Sequence, residues 1–381
     1  MEAAQLLFNL IKLRSYSGEE AEIANYISRY FEALGVKVCR HEGNLYIQIG
    51  GLDKSKAFIF NSHMDTVNAG DEKAWKYGAC NPTLENEMVV GLGASDMKSG
   101  LAASMILAKQ YINEKPPIDM WFTYVVKEEE DGSGSKNFAK WFETEGYLKA
   151  YKEVAAIFTE PTNLDEIEYG HRGNIFLKAV SLGDTGHASR PKENKKHAVL
   201  EMVNFAKKLE EQVGIWAKEF EGGVFDPPTV AIMTSVQAGV IDKNGEIVTG
   251  SVNKFPGSCT ATFDLRTVPG FHEVAFEKIV KLGKKMGIEV SYLFDPAPSG
   301  LTDTSDKIVK IASQVIGEKV KLIVTQGAAD MGFFSQLGVK AIILGPGLRE
   351  QCHQTNEMAP LGHIPKAVEI YHKIVTNWSK N

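Results

Sequence analysis

Histidine and acidic side chains occur at five predicted strand ends or in the loops that follow them. They are His63 and Asp65 after AFIFNS, Asp96 after VVGLGAS, Glu128 to Glu130 after WFTYVVK, Glu160 after VAAIFT, and His353 in the loop after AIILGPG. In an open parallel sheet, ligands bind beyond the carboxyl ends of the strands, so these side chains are expected to meet at one edge. Imidazole nitrogens and carboxylate oxygens together form a ligand set that zinc accepts. The pattern therefore indicates a metal centre.

Each of these residues also has a structural interpretation when it is taken alone. Asp96 precedes an apolar helix and could be its N-cap. The Glu128 to Glu130 run could be a solvated loop, and Glu160 could be a turn residue. His63 and His353 could be loop histidines that hydrogen-bond to the backbone. Only their coincidence at one sheet edge favours the metal centre.

Asp65 strengthens the interpretation of its neighbour. It lies two residues after His63 and can therefore accept a hydrogen bond from the second nitrogen of that imidazole. Metal-binding histidines usually have such a carboxylate behind them. A surface aspartate is the alternative.

Motifs for other chemistries are absent or broken. Gly91-Leu92-Gly93 after a strand resembles the start of a dinucleotide-binding fingerprint, but Asp96 stands in the place of the third glycine and would repel a pyrophosphate. The sequence contains no P-loop, no H-E-x-x-H and no G-x-S-x-G motif. None of the cysteines lies in a motif for nucleophilic catalysis.

All of the residues that could bind metal, except His353, lie in an alternation of helical patterns and short apolar runs that extends from residue 1 to about 171. The alternation returns after about residue 298 and includes His353. This order is typical of βαβ units around a mainly parallel sheet. The predicted helices span 2–13, 19–34, 97–113 and 134–147, and the predicted strands span 36–40, 44–49, 57–62, 119–127 and 154–159. The last three strands are almost continuously apolar, as expected for strands covered on both faces.

Residues 172–298 have a different order of elements: strand, helix, strand, strand, helix, strand. This is the ferredoxin-like pattern. A chain of 381 residues also exceeds the usual limit of about 250–300 residues for one hydrophobic core. We therefore predict an α/β fold with a mainly parallel sheet, formed by residues 1–171 and 299–381, into which a smaller α+β domain of residues 172–298 is inserted.

The composition is that of an ordered globular protein, with 44% hydrophobic and 24% charged residues. The net charge of -6 is mild and the basic residues are scattered, so neither nucleic acid nor a membrane surface is an expected partner. The N-terminal segment is typical of a helix rather than a signal peptide, and no apolar stretch approaches the roughly 18 residues of a membrane span. The four cysteines lack paired spacing, so we expect free thiols and a cytoplasmic protein.

Several short stretches occur in the order and spacing of one known family. They are SHMDTV, GLGASDMKSG, EEEDGS, EPTN, GHASRP, NKFP, DLRTVPG, GPG and CHQTNE. Over essentially its whole length, the chain resembles the metallopeptidase family that contains acetylornithine deacetylase, succinyl-diaminopimelate desuccinylase and aminoacylase. The combination is specific, whereas EPTN or GPG alone would be a weak signal.

The resemblance implies a co-catalytic centre of two divalent ions, zinc or else cobalt or manganese. Its metal ligands would be His63, Asp96, Glu130, Glu160 and His353. Asp96 would bridge the ions, and Asp65 would support His63. Glu129 would be the general base that generates a hydroxide bridging the ions. This assignment aligns Glu129 and Glu130 with the family's paired glutamates, but three consecutive glutamates leave an ambiguity of one residue.

The resemblance also implies residues that contact a small substrate with a free carboxylate. The candidates are His187, Arg266, Asn253, Gly345 and Gly347. His187 would donate a hydrogen bond to the oxyanion, typically from the partner subunit of a homodimer, so the inserted domain would serve as lid and dimerisation domain. The guanidinium of Arg266 suits a carboxylate, although it could instead be paired structurally with Asp264 or another acid.

These features predict a metal-dependent amide hydrolase that deacylates a small N-acyl amino acid. Glutamate at position 160 resembles the deacetylase and desuccinylase branch of the family. A di- or tripeptidase or carboxypeptidase of the same fold is the alternative. A non-catalytic metal- or ligand-binding relative is a second alternative, although every expected ligand is retained. Leu92, Ala329 and Cys352 depart from the usual family residues without removing a ligand.

Overall fold

The computed structural model describes residues 2–190, 196–220, 224–225, 230–241, 247–248 and 252–380. The chain forms two compact units. The first consists of Met1–Gly170, Gly300–Val324 and Ala329–Asn381, and the second consists of His171–Ser299 and Thr325–Ala328. The segment Thr325–Ala328 joins the second unit from a distant part of the sequence, and its Gln326 accepts a hydrogen bond from Nε of Arg172.

Helices and strands alternate along most of the chain. The helices are α1 (Glu2–Lys12), α2 (Ala21–Ala33), α3 (Ser99–Asn113), α4 (Ser133–Thr144), α5 (Tyr147–Ala150), α6 (Ala198–Ala217), α7 (Phe271–Met286), α8 (Lys307–Ile316), α9 (Met331–Gln336) and α10 (His363–Lys380). The strands are β1 (Cys39–His41), β2 (Asn44–Ile49), β3 (Asp53–His63), β4 (Thr83–Glu85), β5 (Met88–Val90), β6 (Ile118–Val125), β7 (Glu153–Phe158), β8 (Glu166–His171), β9 (Gly173–Leu182), β10 (Val230–Ile241), β11 (Ile247–Val248), β12 (Ser258–Thr267), β13 (Ile288–Tyr292), β14 (Gly300–Leu301), β15 (Lys321–Thr325), β16 (Lys340–Ile343) and β17 (Met358–Pro360). Within the described ranges, every helix is too short or too polar to cross a membrane.

A mixed sheet forms the centre of the first unit, in the order β1-β2-β6-β3-β7-β16-β8-β14, with β15 pairing with β8. The neighbours β6, β3, β7 and β16 are parallel, whereas β1, β2 and β8 pair antiparallel. His63 at the end of β3 lies opposite Val125 of β6, and Asn61 lies opposite Phe158 of β7. The carboxyl ends of these strands therefore meet at one edge, and the predicted α/β class with a mainly parallel centre is confirmed.

Successive side chains of a strand point to opposite sides of the sheet. In the central strands, the side chains on both sides are buried. Phe58 and Phe60 of β3 pack on the side of α3 and α10, where the ring of Phe60 lies 5.0 Å from that of Tyr371. Ile59 packs on the opposite side with Phe138 of α4. Burial of both faces explains the nearly continuous apolar runs in these strands.

The second unit contains an antiparallel sheet in the order β11-β10-β12-β9-β13. Helix α6 connects β9 to β10, and α7 connects β12 to β13. This is the predicted β-α-β-β-α-β order, with β11 as an additional short strand. Helix α6 buries Met202, Phe205, Leu209 and Val213, which lie on one helical face.

Candidate metal centre

His63 is the last residue of β3, and the strand carries it to the edge where the parallel strands end. The imidazole is buried, with 1% of the residue exposed. Nε2 lies 3.2 Å from Oδ1 of Asp96 and 3.4 Å from Oε1 of Glu160, which follows β7. The fold therefore brings two predicted carboxylate ligands to the same nitrogen of His63.

Asp96 lies in an irregular turn between β5 and α3, where its φ of -111° and ψ of 95° depart from helical values. Its second carboxylate oxygen, Oδ2, lies 3.4 Å from Nε2 of His353. The same nitrogen lies 2.9 Å from Oε2 of Glu129. The two oxygens of Asp96 thus face two different imidazoles.

Asp65 holds several parts of this edge together. It is fully buried, and its Oδ1 lies 3.5 Å from Nδ1 of His63. Its carboxylate also accepts hydrogen bonds from the hydroxyl of Ser17 over 2.7 Å and from the backbone N–H groups of Glu128 and Glu129 over 3.2 and 3.1 Å. Nδ1 of His63 also lies 3.0 Å from the backbone carbonyl oxygen of Asp65, so Asp65 lies behind the imidazole and also orients the loop that carries the glutamates.

The three consecutive glutamates are not equivalent. The side chain of Glu129 is 6% exposed and contacts His353, whereas that of Glu130 is 56% exposed and lies 3.2 Å from Nζ of Lys127. Ligand atoms of Glu128, His63 and Glu160 lie within 4.8 Å of one another. The structure thus brings Glu128 and Glu129 into the centre and leaves Glu130, the expected ligand, at the surface.

Constraints on both sides of the loop produce this orientation. Lys127 has a positive φ of 57°, and its carbonyl accepts hydrogen bonds from Asp131 and Gly132, so the backbone reverses directly after β6. Helix α4 then packs so closely that a Cβ on Gly134 would lie 2.1 Å from the carbonyl oxygen of Val126. These contacts determine which glutamates point inward. An alignment based on the position of Gly132 in the sequence carries no information about these contacts.

Carboxyl groups crowd this edge of the sheet. Burial, together with the charges of Asp96 and Glu129, raises the pKa of Glu160 to about 7. Burial and the Asp96 charge also raise the pKa of Glu129, and its Oε1 is buried without a hydrogen-bond partner among the described residues. Burial opposes protonation of His63, but the surrounding carboxylates raise the pKa of its imidazole. Surplus negative charge and an orphaned carboxylate oxygen fit a site for divalent cations.

Two buried acids at the centre were not among the predicted participants. Asp330, at the start of α9, has a pKa that burial raises to about 8. Glu357 accepts hydrogen bonds from the backbone of the turn that carries Asp96. In the sequence, Glu357 lies four residues after His353 within CHQTNE, and Asp330 precedes the apolar segment MGFF. Neither residue directly follows a predicted strand, so the search for polar residues at strand ends did not identify them.

The predicted substrate residues His187, Asn253 and Arg266 lie in the second unit. His187 is exposed, has its Nδ1 2.7 Å from the hydroxyl oxygen of Ser189, and lines a cleft of about 610 Å³. Asn253 is exposed. Arg266 forms a two-point ion pair with Asp264, with distances of 2.9 Å for Nε to Oδ1 and 3.0 Å for Nη2 to Oδ2. This pair is the structural alternative for Arg266, so the contact with a substrate carboxylate stays a prediction.

Gly345 and Gly347 follow β16 in the first unit. The N–H of Gly345 donates to Oγ1 of Thr162 over 3.2 Å, and a Cβ at this position would lie 2.2 Å from the carbonyl oxygen of Thr159. Gly347 has a φ of 102°, and a Cβ there would lie 2.9 Å from the backbone of Ser95. Close packing accounts for both glycines, and their contact with a substrate stays a prediction.

Known proteins share both the sequence pattern and the fold. The chain matches the family described as Peptidase family M20/M25/M40 over residues 59–377. A succinyl-diaminopimelate desuccinylase from Colwellia psychrerythraea is 24% identical, over 99% of this chain and 95% of its own length. Aminopeptidase PepT from Bacillus cereus has a crystal structure that matches with a TM-score of 0.75 at 20% identity, covering 100% of this chain and 98% of its own. An M20 family metallo-carboxypeptidase from Sulfolobus solfataricus matches with a TM-score of 0.75 at 20% identity and covers 100% of both chains.

The matched region spans most of the chain and includes His63, Asp96, Glu160 and His353. The family's hydrolytic activity on amide bonds agrees with the imidazoles and carboxylates that meet at the sheet edge. The protein is therefore a hydrolase of amide bonds, and the chain belongs to peptidase family M20/M25/M40.

Proposed function

We propose that this protein holds two divalent metal ions, with zinc as the best match to the donors, and deacylates a small N-acyl amino acid. The position of Asp96 carries the proposal. One of its carboxylate oxygens lies 3.2 Å from Nε2 of His63, and the other lies 3.4 Å from Nε2 of His353. A carboxylate between two imidazoles can bridge two ions, and such mixed donors suit zinc, cobalt or manganese.

The proposed ligands are His63, Asp96 and Glu160 for one ion, and Asp96, Glu129 and His353 for the other. Glu129 takes the place expected for Glu130, because its Oε2 lies 2.9 Å from the His353 imidazole while Glu130 pairs with Lys127 at the surface. When bound, the ions polarise the scissile carbonyl and lower the pKa of water.

Glu128 is the proposed general base, in place of Glu129. Its carboxylate lies near the His63 imidazole and the Glu160 carboxylate, with all three ligand atoms within 4.8 Å of one another. Glu129 contacts the His353 imidazole, with its Oε2 2.9 Å from Nε2, and this leaves Glu128 as the candidate for the base. From this position, a carboxylate can take a proton from water and return it to the leaving amine.

The relatives support a deacylase. The desuccinylase from Colwellia psychrerythraea aligns with 99% of this chain, and position 160 carries glutamate within EPTN. A substrate with a free carboxylate, a homodimer in which His187 serves the partner's site, and a cytoplasmic location belong to the same proposal. The similarity of motif GHASRP to the family pattern supports the role of His187.

Elemental analysis of the purified protein, paired with a substrate panel, tests the proposal. We expect about two ions per chain, with hydrolysis of N-succinyl or N-acetyl amino acids that is lost on chelation and restored by zinc. Hydrolysis of dipeptides or tripeptides alone would establish the peptidase alternative. A protein that binds no metal and hydrolyses no member of the panel would contradict the proposal and favour a non-catalytic relative.

A further inference from the structure

Glu357 is buried, with 1% of its surface exposed, and both of its carboxylate oxygens are engaged. Oε1 accepts hydrogen bonds from the backbone N–H groups of Ser95 over 2.7 Å and Asp96 over 2.8 Å. Oε2 accepts from the N–H of Gly93 over 2.7 Å. One side chain thus satisfies three backbone donors within four consecutive residues.

These donors belong to the turn that presents Asp96. Gly93 has a positive φ of 77°, and Asp96 departs from helical geometry, so the turn lacks the regular hydrogen-bond ladder of a helix. The hydroxyl of Ser95 adds a second connection, because it donates to the carbonyl of Met358 over 2.7 Å. The segment around Glu357 therefore holds the backbone of this turn from outside.

The same segment carries the second imidazole. His353 precedes Glu357 by four residues, and its Nε2 lies 3.4 Å from Oδ2 of Asp96. A single stretch of chain therefore places one ligand directly and holds the backbone of the proposed bridging ligand. Residues 353–357 therefore influence both sides of the contact between His353 and Asp96.

We propose that Glu357 is a positioning residue that directs the Asp96 carboxylate so that one oxygen faces His63 and the other faces His353. This inference rests on the proposed two-ion function. Glu357 itself does not need to touch an ion or the substrate, because it acts through the backbone N–H of Asp96. Its loss weakens the binding of ions that depend on the bridging geometry.

The test is a competition titration of metal-free protein against a chromophoric zinc chelator. Glu357→Gln keeps the shape of the side chain but places an NH₂ group where a carboxylate oxygen accepts, so at least one backbone donor loses its partner. We expect at least one of two zinc ions to bind about 10- to 100-fold more weakly, the range found when groups that orient metal ligands are removed. Glu350→Gln, an exposed acid in the same loop, is the matched control and should bind both ions as the parent does.

Unfolding of the metal-free proteins separates positioning from a purely structural role. The loss of zinc-binding free energy in Glu357→Gln should exceed the loss of unfolding free energy in the metal-free variant. Glu357→Asp, which keeps the charge on a shorter side chain, should recover part of the lost zinc affinity. If Glu357→Gln does not fold, the same titration on Glu357→Asp decides. Parental affinity for both ions in the folded variant overturns the positioning role. A parent protein that binds no zinc instead overturns the proposed function.

Discussion

At the scale of single residues, the candidate metal centre depends on which side chains the fold brings together at the edge of the sheet. His63, Asp65 and Asp96 meet at a buried edge, and Glu129 joins them through His353. The residue types indicated a metal centre, and His63, Asp96, Glu160 and His353 were predicted as its ligands from their places after strands. The sequence does not show which of the three glutamates point inward, because three identical neighbours differ only in the direction that the backbone gives them.

Replacing Glu128 with Gln tests the base directly. A glutamine cannot accept the proton from water, so we expect kcat to fall by about 10²- to 10⁴-fold while the protein keeps about two ions per chain. Glu130→Gln is the matched control, because its side chain is 56% exposed and should leave both kcat and metal content near the parental values. Steady-state kinetics and elemental analysis measure the two quantities. Loss of an ion in Glu130→Gln would contradict these roles and would support the assignment expected from the sequence, with Glu130 as the ligand and Glu129 as the base.

At the scale of elements, the loop between β6 and α4 is held from two sides. Asp65 contacts it from the end of β3, and Glu20, before α2, accepts a hydrogen bond from the N–H of Lys127 over 3.1 Å. Glu20 also accepts from the N–H of Gly18 over 3.0 Å. The N-terminal segment, which carries no predicted ligand, therefore helps to place the glutamates.

Glu20→Ala should expose this dependence. The substitution leaves the part-buried N–H of Lys127 without its acceptor, which should lower the unfolding free energy by up to about 1–3 kcal/mol. We also expect a lower kcat, because the loop that carries Glu128 loses one of its restraints. Glu19→Ala is the control: Glu19 is 51% exposed and pairs with Arg14, so its loss should cost about 0–1 kcal/mol. Denaturant titration and kinetics would show equal effects of the two substitutions if Glu20 has no such role.

The start of α4 permits a second test at this scale. A Cβ on Gly134 would lie 2.1 Å from the carbonyl oxygen of Val126, so Gly134→Ala should force the helix away from β6 and cost at least about 1–3 kcal/mol, as overpacking does. Gly50→Ala is a control in the same unit, because a Cβ at Gly50 meets no atom within 4 Å. Denaturant unfolding of the two variants measures the difference. Equal stabilities would mean that the close approach of α4 does not constrain the loop.

At the scale of the whole molecule, each unit has a core of its own kind. The first buries both faces of a mainly parallel sheet beneath helices, and the second packs α6 and α7 against an antiparallel sheet. The carboxylates of the centre are concentrated at one edge of the first unit, where burial raises the pKa of Glu160 to about 7. Bound cations should therefore stabilise the fold as well as supply chemistry.

Metal removal should lower the stability of the protein. Ions that bind only the folded chain stabilise it by mass action, by about 4 kcal/mol when one free ion is present at a thousandfold excess over its Kd. We expect zinc to raise Tm in differential scanning calorimetry and chelation to reverse the change. His353→Ala, which removes a ligand to the second ion only, should show a smaller rise than the parent. An unchanged Tm across these conditions would contradict a buried site for cations.

The sequence by itself determined the class of sheet, the order of elements and the family. Nearly continuous apolar runs in β3, β6 and β7 can be buried only between two covering layers, and polar residues at their ends must then meet at one edge. The tertiary structure alone decided that Glu128 and Glu129 point inward, because this depends on the positive φ of Lys127 and the packing of Gly134. It also decided the contacts of Glu357 with a turn 261 residues away. Such contacts join segments that are distant in sequence, and their hydrogen bonds leave no periodic pattern in it.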